Sequence, residues 1–372
     1  MQRYKSTAFL FVTMTALWVA CSSEEKSAEP EAPLMLSWAV DEAGPFGIGY
    51  RTLPHTYTSA ATGEDRTIDV HVWYPTEATD GEHPTYEVLF EDPISIVDAP
   101  LAAPAHPDGY PVHVYSHGNM GFGGASPFLM RHFASHGWVV VAPDHTGNTL
   151  SDNVDPRPPS IYLHRATDVS AVLDWLEGLP TDDPLHNQAM TERVVLSGHS
   201  FGAHTCWSSA GATFDMDAVT THCVASSGPF PGGPCSEIEL AAYAQGVGDD
   251  RVVGVIPMAG SIDRTLFGDQ GHTSVTIPVF AMSGTDDPVG ADQQFTSCEG
   301  VDMTWIDIEG GCHQAFALGF CDNITNEMVF PIIQTYALAF GRRHVLSDTS
   351  AGVEGRLDGS ISVADEVEFY RN

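Results

Sequence analysis

The stretch Gly198-His199-Ser200-Phe201-Gly202 sets a serine between two glycines, directly after the apolar run Val194-Val195-Leu196. A strand that must turn sharply into a helix leaves no room for side chains two positions before and after the turn. Glycines there permit the strained backbone and lift the serine hydroxyl clear of the sheet. At the start of a helix, that hydroxyl sits where the dipole favours a developing oxyanion. The chemistry this prepares is nucleophilic attack by Ser200, which needs a base to take its proton and an acid to orient the base.

Both partners follow in the chain. The apolar segment 277–282 runs into Ser283-Gly284-Thr285-Asp286-Asp287-Pro288, and segment 303–308 runs into Glu309-Gly310-Gly311-Cys312-His313. His313 is expected to be the base and Asp287 the acid, with Asp286 its main competitor and Asp263 behind. Taken singly, an aspartate before a proline is ordinary turn chemistry, and His313 is one of 17 histidines. The order serine, acid, histidine, each just after a strand, separates them from the rest.

A tetrahedral oxyanion needs two N–H donors. One is expected from the backbone of Phe201. The other is expected in His117-Gly118-Asn119-Met120-Gly121-Phe122-Gly123-Gly124, which follows the short strand 111–116. Asn119 is the predicted donor and Met120 the runner-up.

These residues need strand ends that meet at one sheet edge. Segments 48–57 and 67–74 alternate with period two and read as an antiparallel edge pair. Further strands are read at 111–116, 138–142, 194–197, 252–258, 275–282 and 303–308, with helices at 126–135, 162–176, from 201, and 326–340. The alternation predicts an α/β protein, a mostly parallel sheet with helices on both faces. With the serine turn and the residue order, this points to the α/β-hydrolase fold, its site at the carboxyl ends of the strands. Residues 206–250, rich in Gly and Pro, are read as a small cap over the site. The expected organisation is 1–20 signal peptide, 21–43 flexible tether, 44–343 catalytic domain and 344–372 a tail without an assigned element.

Fifteen Lys and Arg stand against 49 Asp and Glu, a formal charge of −34 over 372 residues. Such a surface repels phosphate backbones and anionic membranes, so no nucleic-acid partner is expected. Arg3 and Lys5 precede an apolar stretch of 13 residues at 8–20, too short to span a bilayer but suited to an export signal. Val19-Ala20-Cys21 resembles the end of a bacterial lipoprotein signal. It implies a lipid anchor at Cys21 as the membrane contact, on a cell-envelope, periplasmic or secreted protein. The six remaining cysteines allow up to three disulfides in 15 pairings. They fall into two groups of three, so either one bridge crosses groups or two thiols stay free. No cysteine–histidine spacing of the zinc type occurs, and no metal or other cofactor is expected.

Several further blocks carry a family resemblance. They are Gly44-Pro45-Phe46, Gly49-Tyr50-Arg51-Thr52-Leu53, Val72-Trp73-Tyr74-Pro75, Tyr115-Ser116-His117-Gly118, Pro143-Asp144-His145-Thr146-Gly147-Asn148-Thr149 and Arg165-Ala166-Thr167-Asp168-Val169. With the serine turn they resemble the bacterial relatives of platelet-activating factor acetylhydrolase and the dienelactone-hydrolase-like esterases. The resemblance implies a metal-independent hydrolase of small or lipid-derived carboxylic esters, with Ser200, Asp287, His313, Asn119 and Phe201 in the roles given above. True dienelactone hydrolases use a cysteine where this chain has Ser200. The His-Gly-Asn-Met loop differs from the aromatic-bearing loop of cutinase-like polyester hydrolases, which makes polyester cleavage the alternative. A surface-tethered binding protein on an inactive hydrolase scaffold is the alternative of another class.

Overall fold

The computed structural model describes residues 33–224 and 233–372. Nine strands organise it: β1 Gly47–Thr58, β2 Asp65–Thr76, β3 Tyr110–Ser116, β4 Val139–Pro143, β5 Ala189–His199, β6 Val252–Met258, β7 Val279–Gly284, β8 Met303–Ile308 and β9 Val367–Arg371. They lie side by side as β9-β8-β7-β6-β5-β3-β4-β2-β1, with the two-residue piece Ile96–Val97 against β1. From β4 to β8 every pairing is parallel; β1, β2 and β9 supply the antiparallel flanks.

Alternation along the central strands explains the layers. Val194 and Leu196 point into one apolar cluster with Leu163, Val172 and Trp207, while Val195 points into the other with Phe133, Ile333 and Phe340. Helices α1 Pro127–Ser135 and α6 Asn326–Val345 therefore cover one face, and α2 Ser160–Glu177 and α3 Phe201–Ser209 the other. Each large apolar side chain so buried contributes about 1.5–3 kcal/mol, and sheet rigidity at the strand ends is the result that matters for the site. The chain reverses direction across the sheet at β3, which lies between β4 and β5. A crevice forms at such a switch point, outside the carboxyl ends of the strands. Residue Ser116, the last of β3, is registered against Gly198 in β5, so the loop after β3 and the serine turn are neighbours.

Three expectations need correction. Residues 33–43, read as the end of a tether, pack on the domain: Met35 and Val40 are buried. Arg342 donates to the carbonyls of Leu36 and Trp38, both at 2.5 Å, because this apolar segment brings backbone acceptors to a buried guanidinium. The compact unit accordingly runs from Pro33 to Asn372. Second, residues 344–372 are built into the fold, with α7 Ala351–Leu357 and with β9 antiparallel to β8, Tyr370 stacking on Trp305 at 4.3 Å. Third, helices α4 Met216–Val224 and α5 Glu237–Gln245 pack on the α2–α3 face, Tyr243 donating to the Pro159 carbonyl at 2.7 Å. Among the described residues of 206–250, none lines the cavity over Ser200. The signal and Cys21 readings lie outside the described residues.

Among the described residues two disulfides form, Cys223–Cys235 and Cys312–Cys321, while Cys206 and Cys298 stay free and buried. Burial pushes the Cys298 thiol up to about 11, and Cys206 higher still, so both are inert thiols. Such bridges belong to an oxidising extracellular or periplasmic setting. Among the described residues no helix is long and apolar enough to cross a membrane.

Candidate active site

Strand β5 ends at His199 and α3 begins at Phe201, so Ser200 alone makes the turn, at φ +54° and ψ −112°. A non-glycine residue there carries about 1–3 kcal/mol of strain. The surroundings leave no alternative. A Cβ on Gly198 would lie 2.2 Å from the Gly202 carbonyl oxygen, and one on Gly202 only 2.0 Å from that of Ser116. Both glycines are required by close packing, and β3 is pressed directly beneath the turn.

His313 follows β8. Its Nε2 lies 2.9 Å from Ser200 Oγ and its Nδ1 2.9 Å from Asp287 Oδ2. A carboxylate only accepts, so the ring proton sits on Nδ1 and Nε2 is left to accept from the hydroxyl. The Asp287 side chain is 3% exposed and that of His313 37%; the carboxylate is dry and the imidazole reachable. Asp286, one residue earlier, accepts instead from Asn323 at 2.7 Å. Asp263 caps a short helix by accepting from the Thr265 N–H at 3.1 Å and does not touch His313. The loops after β7 and β8 are laced together. Thr285 N–H donates to Ile308 at 3.0 Å and Asp286 N–H to Gly311 at 2.9 Å, while a Cβ on Gly284 would lie 2.2 Å from the Gly311 oxygen.

The loop after β3 closes the other side. Asn119 lines a cavity of about 530 Å³ together with Ser200, Phe201 and His313, whereas Met120 does not. A side chain at Gly118 would meet Ser200 Cβ and His199 Nδ1, both at 3.2 Å. His117 Nε2 accepts the His145 N–H at 3.0 Å, so its Nδ1 donates to the Gly118 carbonyl at 2.7 Å. Gly121 N–H donates to the same oxygen at 3.1 Å. In a trans peptide the next N–H points opposite to the carbonyl, so pinning Gly118 also directs the Asn119 N–H. On the far side of the loop, Asp144 accepts from Gly123 N–H at 2.6 Å and from His71 Nε2 at 3.1 Å. Against its burial, His71 holds Asp144 down to about 2.

Beneath the site lies a polar layer that motif reasoning missed. It holds His199, Asn148, Arg165, His145 and Asp168, all buried. A usable signal was present: Arg165 and Asp168 fall on the apolar face of a helix together with Val169 and Val172, where charges need a reason.

Residues 82–226 match the family model described as Chlorophyllase, a stretch that holds the loop after β3 and the serine turn but neither Asp287 nor His313. Chlorophyllase-1, chloroplastic, of Citrus unshiu is 28% identical over 125 residues, which is 32% of this chain and 36% of that protein. The Citrus sinensis protein of the same name matches over the same 125 residues at 28% identity. The chain thus spans 36% of the length of these curated relatives. A solved ferulic acid esterase from Streptomyces cinnamoneus aligns with a TM-score of 0.61 at 19% identity, over 88% of this chain and 98% of that one. By sheet order, serine turn and this likeness, the chain has the α/β-hydrolase fold.

Proposed function

We propose that this chain is a serine carboxylic-ester hydrolase acting on short-chain or lipid-derived esters. The observation that carries the reading is His313, whose two ring nitrogens stand 2.9 Å from Ser200 Oγ and 2.9 Å from Asp287 Oδ2. His313 Nε2 takes the Ser200 proton as Oγ bonds to the ester carbonyl carbon, and the carbonyl oxygen becomes an oxyanion held by the N–H groups of Asn119 and Phe201. On collapse the carbonyl re-forms, the alkoxy bond breaks, and His313 protonates the departing alcohol. Water, deprotonated by His313, then attacks the acyl-enzyme, releasing the acid and restoring Ser200. Asp287 keeps the imidazole tautomer and stabilises its cation. The relatives named chlorophyllase and ferulic acid esterase are consistent with ester substrates. We further propose export, with Cys21 as a lipid anchor.

The test is hydrolysis of p-nitrophenyl acetate and butyrate by the mature protein. Ser200→Ala is expected to lose turnover with its fold intact. Undiminished turnover in Ser200→Ala, or a wild type that takes no label from a fluorophosphonate probe, overturns the reading.

A further inference from the structure

Arg165 is fully buried, yet among the described residues no carboxylate touches it. The nearest candidate, Asp168, is occupied by Arg66, through Nε and Nη2 at 2.7 Å each, and by His145 Nδ1 at 2.8 Å. His145 Nε2 lies 2.8 Å from Ser116 Oγ. Arg165 spends its donors on neutral oxygens: Asn148 Oδ1 at 2.7 Å, Ser116 Oγ and Thr205 Oγ1 at 3.2 Å each, and the His117 carbonyl. A buried guanidinium without a direct counter-ion is costly, and simple packing on this face is met by an aliphatic side chain. The arrangement has a direction. A guanidinium only donates, so Asn148 must turn its carbonyl to Arg165 and its NH₂ outward. That NH₂ donates to Asn119 Oδ1 at 2.8 Å. The same guanidinium lies 4.5 Å from the Phe201 ring centroid. One cation therefore reaches both residues whose N–H groups face the oxyanion in the mechanism above.

We propose that Arg165 is the positioning residue of the oxyanion site, holding the His117 carbonyl directly and the Asn119 side chain through Asn148. The inference rests on the ester-hydrolase reading. Burial lowers Arg165 only to about 9, so the cation is retained at neutral pH. Its action is on geometry: it fixes where the Asn119 N–H stands when the carbonyl oxygen takes charge, and it makes no contact with substrate.

A double-mutant cycle tests it. Asn119→Ala, at an exposed position, keeps the backbone donor but removes the last link, and Asn148→Leu removes the middle one. Each is expected to lower kcat on p-nitrophenyl butyrate about 10- to 100-fold, less than deletion of a donor, with KM within about threefold. Affinity for a short alkyl boronic acid, which forms a tetrahedral adduct on serine, should fall in step with kcat/KM. The double variant should be no worse than either single one, since both break one relay. Arg165→Lys, which keeps the charge but cannot fork to His117 and Asn148 together, should show the same kcat loss. A folded Asn119→Ala with kcat within twofold of wild type, or losses that multiply in the double variant, overturns the proposal. If Ser200→Ala is dead in the same assay while these variants are fully active, the positioning role alone falls. Turnover by Ser200→Ala brings down both readings.

Discussion

His199 Nε2 donates to the backbone carbonyl of His313 across 2.9 Å, so the residue before Ser200 holds the loop that carries His313. Burial, reinforced by the His313 ring beside it, keeps His199 down at about 3. It is neutral throughout the working range, and its Nε2–H is a constant donor. The His313 backbone is thus tied to the strand end that carries Ser200, by a bond separate from the one to Asp287.

Replacing His199 by Leu fills a similar space and removes this bond. We expect kcat to fall about tenfold and stability by about 1 kcal/mol, the worth of one buried hydrogen bond. Steady-state kinetics together with chemical denaturation measures both, and an unchanged kcat would show that the loop holds its place without His199.

The two adjacent carboxylates should separate cleanly. Asp287→Asn leaves the shape intact but lets the imidazole adopt the wrong tautomer, and on the proposed mechanism kcat is expected to drop on the order of 10⁴-fold. Asp286→Asn, whose partner is Asn323, should stay within about threefold. Similar losses in both variants would mean that the acid is shared.

The Cys312–Cys321 bridge closes a short loop immediately beside His313. A Cys312→Ser, Cys321→Ser variant should lose roughly 2–3 kcal/mol by the loop-closure argument. Its kcat is expected to decline further than that of the corresponding Cys223, Cys235 variant, whose bridge lies between α4 and α5. Thermal melts and turnover on the two variants settle the comparison.

Buried histidines set the acid limit. Burial draws His113 and His132 to about 3, and His136 and His145 to about 4, against roughly 6.5 in the unfolded chain. Between those values the unfolded state binds protons that the native state refuses. The contribution is full above about pH 6.5 and is lost as pH falls toward 4, by about 1.4 kcal/mol per pH unit for each such group. His71 has the opposite sign: burial pulls it down, but Asp144 raises it on balance, so its stabilisation is lost as pH rises. Unfolding free energies measured from pH 7 to 4 should fall steeply. His113→Phe should flatten that slope by about one proton, and an unaltered slope would contradict a neutral buried His113.

Much of this was readable from the chain because the constraints are local. The serine turn is dictated by two glycines within two residues of Ser200, and the strand that feeds it by three consecutive apolar side chains. Asp287 and Asp286 could not be separated in advance, since which of two neighbouring carboxylates faces the imidazole depends on how the loops after β7 and β8 interlock. The cysteine pairing was open for the same kind of reason: proximity of Cys312 to Cys321 is a property of a folded loop. The strap at 33–43 and the edge strand β9 were missed because short segments of mixed polarity acquire structure only from acceptors and strand edges elsewhere. Arg165 was noticed as part of a block, but its four partners come from three separate stretches of chain.

Ser200 and His313 are 113 positions apart, and β6 and β7 lie between the strands that deliver them. Their contact consequently depends on the register of every strand between them. A fragment truncated ahead of residue 313 would lose the histidine and, with α6, the apolar cover of one face of the sheet.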